Sequence, residues 1–123
     1  MPTTPDRSHY LLLLRQPAGG TPPPDELHKI MARFAEWMDT MGAKGMVLST
    51  NGLELSGKVL RGSRGLSITD GPYAEAKEVI GGYVLIAASN LEEAIEAARG
   101  CPGLDYHMAV EVRPIRLRAV HTG

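Results

Sequence analysis

Cysteine is almost absent from this sequence: Cys101 is the single one in 123 residues. That excludes an internal disulfide and suits a reducing compartment. Cys101 precedes Pro102 at the end of a predicted helix, where the dipole raises a thiol pKa, so an inert thiol is expected. Histidines at positions 9, 28, 107 and 121 have no ligand spacing with one another, with Cys101 or with carboxylates, so no metal site is expected. No cofactor motif is present, and the Gly62 to Gly65 tip is a hairpin turn rather than a phosphate loop, because no helix follows it directly. Aromatic residues make up only 5% of the chain, with one Trp. The core must therefore rest on Leu, Ile, Val, Ala and Met.

Neither sign of charge dominates. Lys and Arg number 13, Asp and Glu 14, and the formal net charge is -1. A nucleic-acid reader of this size is usually basic on one clustered face. Arg61, Arg64, Arg113, Arg116 and Arg118 make two flanks locally positive, as solvated loop and tail charges do, and direct nucleic-acid binding is not expected. Long hydrophobic runs are also missing. The stretch from Val84 to Ala88 is far too short to cross a bilayer, and the first eight residues are polar with no hydrophobic signal region. No membrane partner and a cytoplasmic location are the expectation.

What is present suffices for one domain. The chain is 43% hydrophobic, and a chain of this length buries roughly two thirds of its unfolded surface. Residues 1–9 read as a flexible lead-in, 10–116 as the domain and 117–123 as a tail. Tyr10 to Leu14 is a short apolar run bounded by Pro, which suits a central strand. From Asp25 the period changes: Leu27, Ile30, Met31, Phe34, Trp37, Met38 and Met41 make one stripe on a helix of about five turns. Pro24 and Asp25 open that helix, and Gly42 is expected to close it.

A second strand starts at Met46 and is expected to break at Asn51 and Gly52. Lys58 to Leu60 and Leu66 to Thr69 flank a Gly-rich tip and form a hairpin. Asp70 to Glu78 reads as a loop with two helical turns, stopped by Gly81 and Gly82, before a buried strand from Tyr83 to Ala88. Asn90 caps a second helix, with Glu93 three residues on, and Gly100 and Pro102 end it. The last strand, Met108 to Ile115, alternates Met108, Val110 and Val112 against His107, Ala109, Glu111 and Arg113.

This order predicts an α+β fold of the ferredoxin-like kind, a split βαβ pattern with an inserted hairpin and both helices on one sheet face. Leu11, Leu13, Leu85 and Ile86 make the central strands apolar on both sides. Two helices cover one face, so a second copy packed sheet to sheet is the economical cover of the other, which predicts a homodimer.

The densest polar cluster runs from Thr69 to Glu78. Asp-Gly-Pro makes a good turn, since Asp bonds its own backbone and Gly-Pro fixes the next step. One reading is an Asx-type turn leading into a short helix. The other faces Asp70 to a pocket beside Tyr73, Glu75 and Lys77, where a lysine near two carboxylates orients an anion or tunes a general base. Both readings stay open.

Thr69-Asp-Gly-Pro-Tyr-Ala-Glu-Ala-Lys-Glu78, followed by Gly81-Gly82-Tyr83, resembles the signature of the DGPF-type branch of the YCII-related family, with Tyr73 where the family's name has Phe. Leu11 to Arg15, Cys101 with Pro102, and Val110 to Pro114 agree in the same order, and the resemblance spans residues 10–115. It implies a dimeric α+β barrel and little about activity. Most of the family has no assigned reaction. Some relatives are linked to sigma factors of the extracytoplasmic type, and at least one takes part in dechlorinating an aromatic ring. A His/Asp pair is proposed as catalytic in the YCII branch. The nearest residues here are His28 and Asp39, eleven residues apart on one helix, a rise of about 16 Å. That is too far for a hydrogen bond, so the pair does not transfer cleanly.

Three further residues are candidates. His107, placed at the start of the last strand, is suited to acid or base work near neutral pH. Arg15 is placed to meet Glu111 across neighbouring strands. Trp37 is either core or the aromatic wall of a pocket between helix and sheet. The candidate set is therefore Asp70 and His107 as catalytic groups, with Tyr73, Glu75, Lys77, Trp37 and Arg15 as ligand-binding groups. They fit a small-molecule-binding or enzymatic homodimer. The alternatives are a regulatory partner of an extracytoplasmic-type sigma factor and a structural homodimer without a ligand.

Overall fold

Alternation of buried and exposed residues makes the first strand, β1 (Ser8–Pro17), the centre of the sheet: Tyr10, Leu12 and Leu14 are buried while Leu11 and Leu13 are half-buried. The structure, a computed structural model, describes residues 7–18, 22–72 and 76–116. The other elements are α1 (Pro24–Ala43), β2 (Val47–Gly52), β3 (Gly57–Arg61), β4 (Ser67–Gly71), β5 (Glu78–Ala88), α2 (Leu91–Arg99) and β6 (Ala109–Pro114). The fold class is α+β: two helices with antiparallel sheets of four and two strands. The larger sheet has the order β2-β5-β1-β6. β5 lies between β1 and β2 and is antiparallel to both.

Both helices pack on one face of this sheet. Trp37 and Met41 of α1 and Ala94 and Ala98 of α2 join Tyr10, Leu12, Leu14, Val84 and Ile86 in one core. Trp37 ties the helices together, since its Nε1 donates to the Ala97 carbonyl at 2.9 Å. The close approach requires Gly100, where a Cβ would stand 2.9 Å from Trp37 Cδ1. The Asn90 cap is present: its Oδ1 accepts from the Glu93 N–H at 2.8 Å, while Glu93 reaches back to the Ser89 N–H at 2.7 Å.

Several local expectations are corrected. Gly42 does not end α1. The helix runs to Ala43 and closes at Gly45, whose φ of +68° only glycine adopts freely. Met46 N–H bonds Met41 O at 3.1 Å and Gly45 N–H bonds Gly42 O at 2.9 Å, a Schellman motif with both methionines buried in the core. β2 continues through Asn51 and Gly52 rather than breaking there. Gly81 and Gly82 do not stop a helix. They lie inside β5, which begins at Glu78, and the expected helical turns are absent from the described part of residues 70–78. Residues 73–75 lie outside the described residues. Among the described residues, no helix is long and apolar enough to cross a membrane.

Cys101 is buried with only 2% exposure, and burial pushes its thiol pKa up. The unfolded thiol ionises near its ordinary value of 9.0 while the folded one stays neutral. This contribution to stability is complete below that value and is lost as pH rises through the raised folded value. Cys101→Ala is therefore expected to flatten part of the alkaline loss of stability in denaturant titrations. A thiol reagent is expected to label the native chain only at the rate of its unfolding.

Candidate functional site

Three glycines remove side chains from one end of the sheet. Gly52 of β2 stands opposite Gly82 of β5 in the register, with Gly81 beside it. A Cβ on Gly82 would lie 3.1 Å from the Asn51 carbonyl and 3.7 Å from Leu14 Cδ1. A Cβ on Gly81 would collide with the Gln16 side chain. With the sheet bare at this end, the N-terminal half of α1 leaves a space beneath it. Leu27, Ile30, Met31, Phe34 and Met38 form the helix wall. Leu14, Val84 and Met108 close the opposite side. The resulting cavity holds about 490 Å³, within the range of ligand sites in proteins.

The polar groups lie at the rim. Thr50 Oγ1 donates to the Tyr83 carbonyl at 2.9 Å, whereas Asn51 meets the space through its backbone, its Nδ2 donating to Tyr83 Oη at 2.9 Å on the other face of the sheet. Tyr106 is held over the rim by Arg33, whose guanidinium stacks 5.7 Å from its ring centroid and pairs with Asp105 at 2.8 Å. Gln16 makes no side-chain hydrogen bond among the described residues.

A second polar group occupies the opposite face of the sheet. Arg15 donates to Glu78 at 3.1 Å and to Glu111 at 2.8 Å, and Glu111 also meets Arg113 at 3.2 Å. The two carboxylates raise the guanidinium pKa further above its ordinary value. The predicted meeting of Arg15 and Glu111 is thus present, with Glu78 as an added partner that the periodicity did not reveal. Nearby on this face, hydrogen bonding to Ser49 and Asn51 lowers the Tyr83 phenol pKa.

The other candidates are dispersed. Asp70 sits in β4 opposite Lys58, pairs with it, and leaves 86% of its side chain exposed. Lys77 is exposed at the approach to β5, where its carbonyl accepts from the Ala18 N–H at 3.0 Å. Tyr73 and Glu75 lie outside the described residues. His107 is not on the last strand as expected. It is an exposed residue with φ of +67°, in the turn that follows the short 3-10 segment Pro102–Tyr106. Trp37 is core, 6% exposed, and it is the neighbouring Phe34, in edge-to-face contact with it, that reaches the cavity wall. His28 and Asp39 are exposed on α1. Among the described residues, the cavity walls include none of Asp70, Lys77, His107, Trp37 and Arg15. No group of three or more His, Cys, Asp or Glu among the described residues is arranged to hold a metal.

The cavity residues escaped the sequence reading because their signal is missing side chains. Gly52, Gly81 and Gly82 read as breakers, and only the register turns them into a floor. Leu27 and Met31 read as core stripe, yet they stay 37% and 61% exposed because the space below them is unfilled. The family model for the YCII-related domain matches residues 9–117. No curated protein matches the chain.

Proposed function

The chain belongs to the YCII-related family, and we propose that it works as a homodimer that binds a small molecule in the cavity beneath α1. The cavity itself carries this reading: a mainly apolar space of about 490 Å³ with a few polar groups in its lining is the usual form of a small-molecule site. Glu78, the last residue of the signature segment, opens the strand that carries the Gly81–Gly82 floor, and the described charged side chains of that segment, Asp70, Lys77 and Glu78, are not among the cavity walls. The homodimer is supported by the strand order β2-β5-β1-β6, which suits a ferredoxin-like split βαβ sheet, and by the face opposite the helices. There Leu11 pairs with Leu85 in register and Leu13 with Tyr83, and all four are half-buried in the single chain. A second copy laid on this face covers the row.

A thermal-shift screen of neutral and charged metabolites tests the binding. A ligand at a hundred times its dissociation constant is expected to add about 2.7 kcal/mol, and Gly52→Leu, which places a side chain in the cavity, is expected to remove that gain. Stabilisation that survives Gly52→Leu places the ligand elsewhere. Sizing by light scattering is expected to give twice the 13.2 kDa chain mass.

A second reading, a regulatory partner protein of an extracytoplasmic-type sigma factor, is favoured by one observation. Leu60, Leu66 and Ile68 of the β3–β4 hairpin are 59%, 84% and 60% exposed, an apolar surface that suits a protein contact. Co-purification that finds only the homodimer removes this reading.

A further inference from the structure

Resting on the reading of the cavity beneath α1 as the ligand site, we infer that the ligand is an uncharged, mostly apolar molecule with one hydrogen-bonding group, and that the site rejects anions. The described walls contain no Lys, Arg, His, Asp or Glu. A carboxylate or phosphate entering this space sheds its water with no cation to replace it, a cost that the apolar walls do not offset. Arg33, which lies against the lining residue Tyr106, is already paired with Asp105 at 2.8 Å. An ammonium group is equally unmatched.

The walls define the rest of the class. Met31, Phe34 and Met38 lie on the helix side and Leu14 and Val84 on the sheet side, with bare backbone at Gly52 and Gly82 between them. Thioethers are polarisable and adapt to shape, so they favour bulky apolar groups without dictating one outline. Hydrogen-bonding capacity is scarce. The Thr50 hydroxyl donates to the Tyr83 carbonyl, the Asn51 amide is turned to Tyr83 Oη on the other face, and the Tyr106 hydroxyl takes a bond from Arg33, keeping only its own O–H to donate. Gln16 alone among the rim side chains named here makes no hydrogen bond to the described residues, and its carboxamide offers both a donor and an acceptor. One neutral polar group on the ligand satisfies it.

Two fluorescent probes with one skeleton separate charge from shape: neutral N-phenylnaphthylamine and its sulfonated analogue, anilinonaphthalenesulfonate. The neutral probe is expected to bind saturably and at least tenfold more tightly than the sulfonate. Gly52→Leu is expected to weaken the neutral probe at least tenfold. A Cβ at Gly52 meets only the Gly81 carbonyl at 3.8 Å, an ordinary contact, so the backbone has room for the change. Met31→Lys, at a position already 61% exposed, adds a cation at the mouth and is expected to raise sulfonate affinity several-fold. It serves as the second variant should Gly52→Leu fail to fold. Equal affinity for both probes, each lost in Gly52→Leu, overturns the ligand class while leaving the cavity as the site. Binding of either probe that Gly52→Leu leaves intact, or binding of neither, overturns the cavity reading and the inference with it.

Discussion

Leu12→Ala is expected to cost about 2–5 kcal/mol of folding stability, a large share of the roughly 5–15 kcal/mol that holds a domain together. Leu12 is fully buried at the centre of the sheet, with Val84 opposite it on one side and Val112 on the other. Neither helix can sink into the gap, because α1 and α2 are pinned to each other through Trp37 and Ala97. The vacated volume therefore stays largely open, which places the cost toward the upper end of the range. Urea titration of the variant should show a lower midpoint at unchanged slope. A loss well under 1 kcal/mol would mean that the core is not centred on β1.

Leu13→Asp, one residue along, is expected to do the reverse. Leu13 points to the other face, where its register partners are Tyr83 and Glu111. In the single chain the new carboxylate stays hydrated, so folding changes little. In the proposed homodimer it is driven out of water beside Glu111, with a second copy meeting it across the interface. The dimer dissociation constant is expected to rise by at least a hundredfold, about 2.8 kcal/mol at 1.4 kcal/mol per factor of ten, shifting the chain toward the monomer. Sizing across a dilution series reads this directly. A variant that stays dimeric at every concentration removes the open sheet face as the interface. Together the two substitutions test whether the alternation along β1 separates an inside from a docking side.

The fold was legible wherever a period carried it. The stripe from Leu27 to Met41 places α1, the alternation from Met108 to Val112 places β6, and Asn90 with Glu93 marks the start of α2. Punctuation was less reliable, because glycine serves more than one end. Gly42 is simply carried within α1, while Gly45 takes the left-handed turn that ends it. Gly81 and Gly82 continue a strand rather than stopping a helix, at a place where the register between β1 and β5 slips beside Arg15. Such a bulge leaves no mark in composition. The slip also turns Glu78 to the open face, where Arg15, placed there by the alternation of β1, reaches both it and Glu111. The candidate site was the least legible part. Asp70 and His107 drew notice as reactive residue types, but their chemistry depends on surroundings, and one faces solvent beside Lys58 while the other occupies an exposed turn. A cavity formed by absent side chains has no residue type to announce it.

The β3–β4 hairpin has a consequence for how this chain can diverge. Its strands pair with each other and with none of the four in the larger sheet. An isolated two-stranded ribbon contributes little to the stability of the body it projects from. Substitutions there are thus largely silent for folding, whereas those along β1 are not. Selection on the arm is left free to follow whatever it touches, so relatives can keep one scaffold and drift toward different neighbours through this segment alone.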